Sequence, residues 1–221
     1  MTTIPLITER DGFEIVRDKI AQAITDEIAL QQALAIVAEL DPNNWKVDTY
    51  LERSRPWEAF RDSPDEDDDE HTPIVNVWYD SSPTELNASN LSTKQNMTSV
   101  FNIDCLAYSK AKADGDGFIA GDEQAAKNAH KTARLVRQIL MHDKYRYLEL
   151  RTFVGRRYVQ SRTAFQPNDG NQAVQNVMGV RLALAVKHDE YISLADFNNL
   201  EQVFVEMKFE PDGQVIASMN I

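Results

Sequence analysis

The sequence predicts an α+β fold, a mainly antiparallel β-sheet packed by two helices, with a polar insertion and a C-terminal β-hairpin. Three observations predict it: two stretches with apolar residues three and four apart, several stretches that alternate with a period of two, and a closing hairpin signature. At 221 residues the chain can bury a core without staples, and it reads as a single domain over 1–221.

Thr8 followed by Asp11 has the spacing of a capping box, and Phe13, Val16, Ile20, Ile24 and Ile28 then mark one face of a helix. The apolar pattern is expected to continue through Leu34 and Val37 to Leu40, where Asp41-Pro42-Asn43-Asn44 ends it. Residues 45–60 mix Trp45, Val47, Tyr50, Trp57 and Phe60 with charges and are expected to form an exposed strand. Ile74–Tyr79 (IVNVWY) and Phe101–Ala107 read as strands. A second helix follows, with Ala126, Ala129, Ala133, Val136 and Leu140 on its packed side. Arg151–Phe165 is a charged strand, and Gln166–Gly170 a loop. Met178, Val180, Leu182, Leu184 and Val186 give the cleanest alternation. Their opposite face carries Gly179, Ala183 and Ala185, small enough for a helix or a neighbouring subunit to approach closely. Val203, Val205, Met207 and Phe209, then Pro211-Asp212-Gly213, then Val215, Ala217 and Met219 spell the hairpin within 200–221.

The polar insertion spans 62–99. Seven of the nine residues from Asp62 to Glu70 are acidic, a density whose self-repulsion favours a solvated loop. The polar stretch from Ser81 to Ser99 holds sequons at Asn87, Asn90 and Asn96, which matter only in a secreted protein. The start MTTIPLITERDGFE has neither the basic nor the apolar region of a secretory leader, and no run approaches the roughly 18 apolar residues of a membrane span. The expectation is a soluble protein of a reducing compartment, without membrane contact.

The chain carries no positive sign of an enzyme, and no cofactor is expected. It has no GxSxG, and Cys105 sits mid-strand as a buried structural thiol. His71, His130, His142 and His188 lack metal-ligand spacing and read as ordinary surface or helix-end residues. A formal net charge of -12 disfavours nucleic acid over the surface as a whole. Against that background Lys144, Arg146, Arg151, Arg156, Arg157 and Arg162 are relieved only by Glu149, with Tyr145, Tyr147, Phe153 and Tyr158 interleaved. Such a segment serves as a protein contact, as a nucleic-acid surface or as a plain solvated face, and the first is favoured because arginine and aromatics are enriched at interfaces.

The stretch KADGDGFIAGDE, Lys112–Glu123, matches most of a calcium loop, with Asp114, Asp116 and Glu123 as its carboxylates. Lys112 occupies the first ligand position, the entering segment alternates as a strand, and no second loop exists. A calcium- or ligand-binding module built on these residues is therefore the alternative reading, behind a flexible strand-to-helix loop. Asp122 or Gly121 is expected to cap the helix, with Glu123 in its first turn.

The run FNIDCLAYSKAKADGDGFIAGDEQAAKNAHKTARLVRQIL, the charged strand RTFVGRRYVQSRTAFQP and then VMGVRLALAV together resemble the core of tailed-bacteriophage tail terminator (tail completion, neck) proteins. The resemblance implies a subunit of a homo-oligomeric ring, usually a hexamer, that caps the tail tube and joins it to the head, with DNA passing through the lumen. It implies as partners the tail tube protein and a head-completion or connector protein, and as location the virion tail or neck after assembly in the host cytoplasm. A tail tube or head-completion protein shares the same expected fold. Arg151, Arg156, Arg157 and Arg162 on the charged strand, or the Gly179, Ala183 and Ala185 face, are then the candidates for subunit contacts.

Overall fold

The computed structural model describes residues 10–61, 71–83, 94–114, 117–169, 172–191, 205–209 and 214–219. The acidic run 62–70 and the sequons at Asn87 and Asn90 lie outside the described residues. The chain opens with helix α1 (Gly12–Val37), then β1 (Asp48–Leu51), β2 (Ile74–Ser81) and β3 (Lys94–Tyr108). A small ribbon, β4 (Lys112–Asp114) and β5 (Gly117–Ile119), leads into helix α2 (Gly121–Met141). Then come β6 (Val154–Phe165), the short pair β7 (Asn168–Asp169) and β8 (Gln172–Ala173), and β9 (Val177–Tyr191). The hairpin β10 (Val205–Phe209) and β11 (Gln214–Met219) is antiparallel, as expected. The class is α+β.

Five strands form the main sheet in the order β1-β2-β3-β9-β6. Only β1 and β2 run parallel; β3, β9 and β6 follow antiparallel. Within 62–99, therefore, Ile74–Ser81 and Lys94–Ser99 belong to the sheet, and Val75 and Val77 are fully buried in the core. The segment 45–60 resolves into the four-residue edge strand β1 and a 3-10 turn, Pro56–Phe60, whose Phe60 is buried.

Both helices pack on one face of the sheet. The α1 residues Val16, Ile20, Ala23, Ile24 and Ile28 meet β2, β3, β9 and the α2 residues Ala129, Ala133, Val136 and Leu140 in one cluster. Alanine on α2 lets the helix lie close to β3 and β9, whose Phe101, Ile103, Cys105, Leu182 and Leu184 are wholly buried. Burial pushes the Cys105 thiol well above its ordinary pKa, which keeps it un-ionised and unreactive. The N-terminus of α1 is capped by Asp11, whose backbone N–H donates to Glu14 Oε2 at 3.1 Å, so the cap falls three residues after Thr8.

One expectation for α1 fails. Leu34, Val37 and Leu40 are 51%, 83% and 54% exposed. The reason lies in the spacing: Val16 to Ile28 steps by four, but Ile28 to Leu34 steps by six, which at roughly 100° per residue turns Leu34 about 120° away from Ile28. The apolar pattern persists and leaves the packed face.

Ile20→Ala and Ile24→Ala should each destabilise the fold by about 2–5 kcal/mol, whereas Leu34→Ser and Val37→Ser should stay within about 0.5 kcal/mol. Urea unfolding followed by circular dichroism checks this; comparable losses in both pairs would mean that the end of α1 is packed.

Candidate functional site

Strand β6 is the sheet edge opposite β1, and its burial is slight along most of its length. Its pairing with β9 is broken by irregularities between Val154 and Arg157 and between Val159 and Ser161. The second has a consequence for the arginines. Arg157 pairs with Val186 and Val159 with Leu184; past the bulge Arg162 pairs with Leu182 and Ala164 with Val180. All four partners face the helices, so Arg157 and Arg162, five apart, project on the same side of the sheet, where strict alternation would separate them.

Arg157 is engaged within the chain. Its Nε donates to the Leu140 carbonyl at 2.6 Å and its Nη2 to the His142 carbonyl at 2.8 Å, so a cation closes the C-terminus of α2, whose last turn has no basic residue. Burial pushes its pKa down. Arg162 Nη2 donates to His130 Nδ1 at 2.7 Å, leaving the imidazole proton on Nε2. Arg156 is exposed, its guanidinium 5.6 Å from the Tyr158 ring centre, and Arg151 is exposed in the turn before β6. Of the other basic residues in the segment, Lys144 pairs with Glu27 of α1 at 2.8 Å, while Tyr145 is buried and donates to the same carboxylate at 3.0 Å. Between α2 and β6 lies an open groove of about 470 Å³ lined by Glu123, Ala126, Lys127, His130, Lys131, Arg134 and Arg162.

The small-residue face is filled from within the chain at one end. Phe165 lies over Gly179, where a Cβ would come within 2.5 Å of the ring. Ala183 and Ala185 are buried at 9% and 1% exposure. The same face carries a polar network the sequence reading did not anticipate. Asp104 and Arg181 sit directly opposite each other in the β3–β9 register, and Arg181 donates to both carboxylate oxygens at 2.6 and 2.8 Å. Trp78 Nε1 donates to Asp104 Oδ2 at 3.0 Å, and the guanidinium lies 4.8 Å from the Trp78 ring and 5.1 Å from that of Phe165. The available signal was a lone acid and a lone base at outward positions of two alternating strands.

The Lys112–Glu123 stretch folds as the β4–β5 ribbon, with Lys112 opposite Ile119 and Asp114 opposite Gly117. Asp116 and the side chain of Asp114 lie outside the described residues. Glu123 accepts from Lys127 at 2.6 Å. Among the described residues no group of three or more metal-ligating side chains comes together. The helix cap also differs from expectation: Ala120 is the N-cap and provides no side-chain bond, while Gly121, Asp122 and Glu123 form the first turn. Gly121 is needed for another reason, because a Cβ there would strike the Ser109 carbonyl.

No protein-family model matches the chain, and no curated protein matches it significantly. Among the described residues no helix is long and apolar enough to cross a membrane.

His188 is the exception among the histidines. It is buried on β9, its Nε2 2.6 Å from the buried Ser99 Oγ, which contacts Ser82 Oγ at 2.5 Å. Its Nδ1 has no hydrogen-bond partner and lies 3.6 Å from Glu190 Oε2, while Glu190 Oε1 accepts from the Gly12 N–H at 2.5 Å. A Ser, His, Glu order is present, but Ser99 is wholly buried, so its hydroxyl is not presented at the surface. The set instead ties the ends of β3 and β9 to the start of α1. Burial pushes the His188 pKa below 6.5 and that of Glu190 above 4.5.

Because the folded His188 resists protonation, the unfolded chain takes up its proton first on acidification. Its contribution to stability is complete above pH about 6.5 and is lost as pH falls toward the folded value, with a slope of at most about 1.4 kcal/mol per pH unit. Glu190 acts oppositely, since burial of its charge costs stability that protonation restores. Thermal melts from pH 7.5 to 5 should therefore fall more steeply in the wild type than in His188→Gln; equal slopes would show that His188 does not titrate between the two states.

Proposed function

We propose that this chain is a structural subunit of a closed ring in the neck of a tailed-bacteriophage virion, a tail terminator that caps the tail tube and meets the head-completion protein, with DNA passing through the lumen. The reading draws on the resemblance of 101–186, and the observation that carries it is the inequality of the two sheet edges. One is β1, four residues paired in parallel; the other is β6, twelve residues long, exposed and rich in arginine. A heterologous head-to-tail contact requires two different patches on each subunit, and repetition of such a contact closes a ring or, where the rotation does not close, builds a filament. The open face of the groove and the exposed Arg151 and Arg156 belong to the β6 side. Arg157, spent on the α2 C-terminus, is a stabilising residue in this reading.

Electron microscopy and native mass spectrometry of the purified protein test it. The expected result is closed rings of one stoichiometry, six by the resemblance; open tubes would move the protein to the tail tube, and monomers at all concentrations would remove the ring. Arg151→Glu with Arg156→Glu should weaken assembly about tenfold or more, roughly 1.4 kcal/mol per contact, with little change in melting temperature. Unaltered ring mass in that variant would take these two residues out of the contact.

A further inference from the structure

We propose that the groove between α2 and β6 receives an acidic segment from a second copy of this chain, the run 62–70. The proposal rests on the ring reading and names the two patches of its head-to-tail contact. The groove is basic in a chain of net charge -12: Lys127, Lys131, Arg134 and Arg162, beside the neutral His130, line it against the single carboxylate of Glu123, which Lys127 already engages at 2.6 Å. Like charges gathered on the wall of a concavity focus their field on whatever enters, so an anionic occupant gains more there than on a flat surface.

Three features favour a protein segment over nucleic acid. No Phe, Tyr or Trp lines the groove, so the large aromatic faces on which successive bases stack are missing from its walls. The acidic remainder of the surface repels a long polyanion while leaving a short acidic segment free to dock. Among the described residues β6 pairs only with β9, and from Ser161 to Phe165 its register is regular, which leaves a free strand edge beside Arg162 for an extended segment to extend the sheet. The run 62–70 has that chemistry and precedes in sequence β2, the strand paired with the β1 edge, whereas the groove lies at the β6 edge. Opposite edges of one sheet are the placement a repeating contact uses.

The test pairs a groove variant, Arg134→Glu with Arg162→Glu, with a run variant, Asp67→Asn, Asp68→Asn and Asp69→Asn, each checked for a wild-type melting profile and weighed by native mass spectrometry at low and high salt. The expected result is that each variant alone loses assembly at least tenfold. Mixed together they form a heterodimer and stop there, because one intact groove meets one intact run and the remaining ends are dead. Arg134→Lys with Arg162→Lys, which keeps the charges, should assemble within a few-fold of wild type. Rings in both variants would overturn the docking and leave the ring reading standing; wild-type dimers that the same variants dissolve would do the reverse. Monomeric wild type overturns both. Variants that are monomeric alone and give no heterodimer would also overturn the proposal, as would binding of a single-stranded oligonucleotide at high salt that the groove variant abolishes.

Discussion

The structure depends on the pairing of β3 with β9. Fifteen consecutive pairs, from Lys94 with Tyr191 to Tyr108 with Val177, run without a register shift. Because side chains alternate, that single register sorts both strands into two faces at once. Phe101, Ile103, Cys105, Val180, Leu182 and Leu184 all turn toward the helices, and Asn102, Asp104, Arg181, Ala183 and Ala185 all turn away. A slip of one residue would bury Asp104 under α2 and expose Phe101, so the hydrophobic term on one face and the charge pairing on the other specify the same alignment.

The Asp104–Arg181 pair is the stricter of the two constraints. Asp104 is 8% exposed in its side chain while Arg181 is 38% exposed, so the carboxylate is desolvated and the guanidinium keeps part of its hydration. Arg181 compensates the buried carboxylate with two short bonds, and Trp78 supplies a third donor. The apolar face could tolerate Leu for Ile at several places, but an acid on the far face without its base would leave a buried charge unpaired, which is costlier than a packing defect. This is a reason for the network to fix register even where it contributes little net stability.

What the sequence made legible follows from this. Alternation identified β3 and β9, and four-residue spacing the packed part of both helices, because burial imposes those periods directly; β2 and β6 were legible from their strand-forming residues, since β2 opens with four buried residues in a row and β6 is mostly exposed. The features that escaped depend on partners distant in sequence. Arg157 closes a helix that ends sixteen residues earlier, at Met141; Ser99 meets His188 diagonally across the β3–β9 register; and Phe165 covers Gly179 from the neighbouring strand. The parallel pairing of β1 with β2 was hidden for a related reason, since a parallel neighbour needs a crossover that no local pattern announces. The exposed end of α1 was misread because periodicity reports that an apolar face exists and is silent on what covers it.

The bulge in β6 joins the fold to the candidate site. With strict alternation from Val159, Arg162 would fall opposite Arg181 and point away from α2, while Thr163 and Phe165 would turn toward it. Arg157 would still close the helix, but His130 would lose its guanidinium partner and the groove would keep basic residues on one wall alone. The same bulge twists the edge and interrupts its run of free backbone groups, a device that protects an exposed strand from indiscriminate pairing. One inserted residue thus limits association along most of β6 and places Arg162 beside the short regular stretch that remains open. In the proposed docking, charge sets the selectivity at this edge: a strand without acidic residues would bring the hydrogen bonds but leave Arg134 and Arg162 unneutralised in the groove.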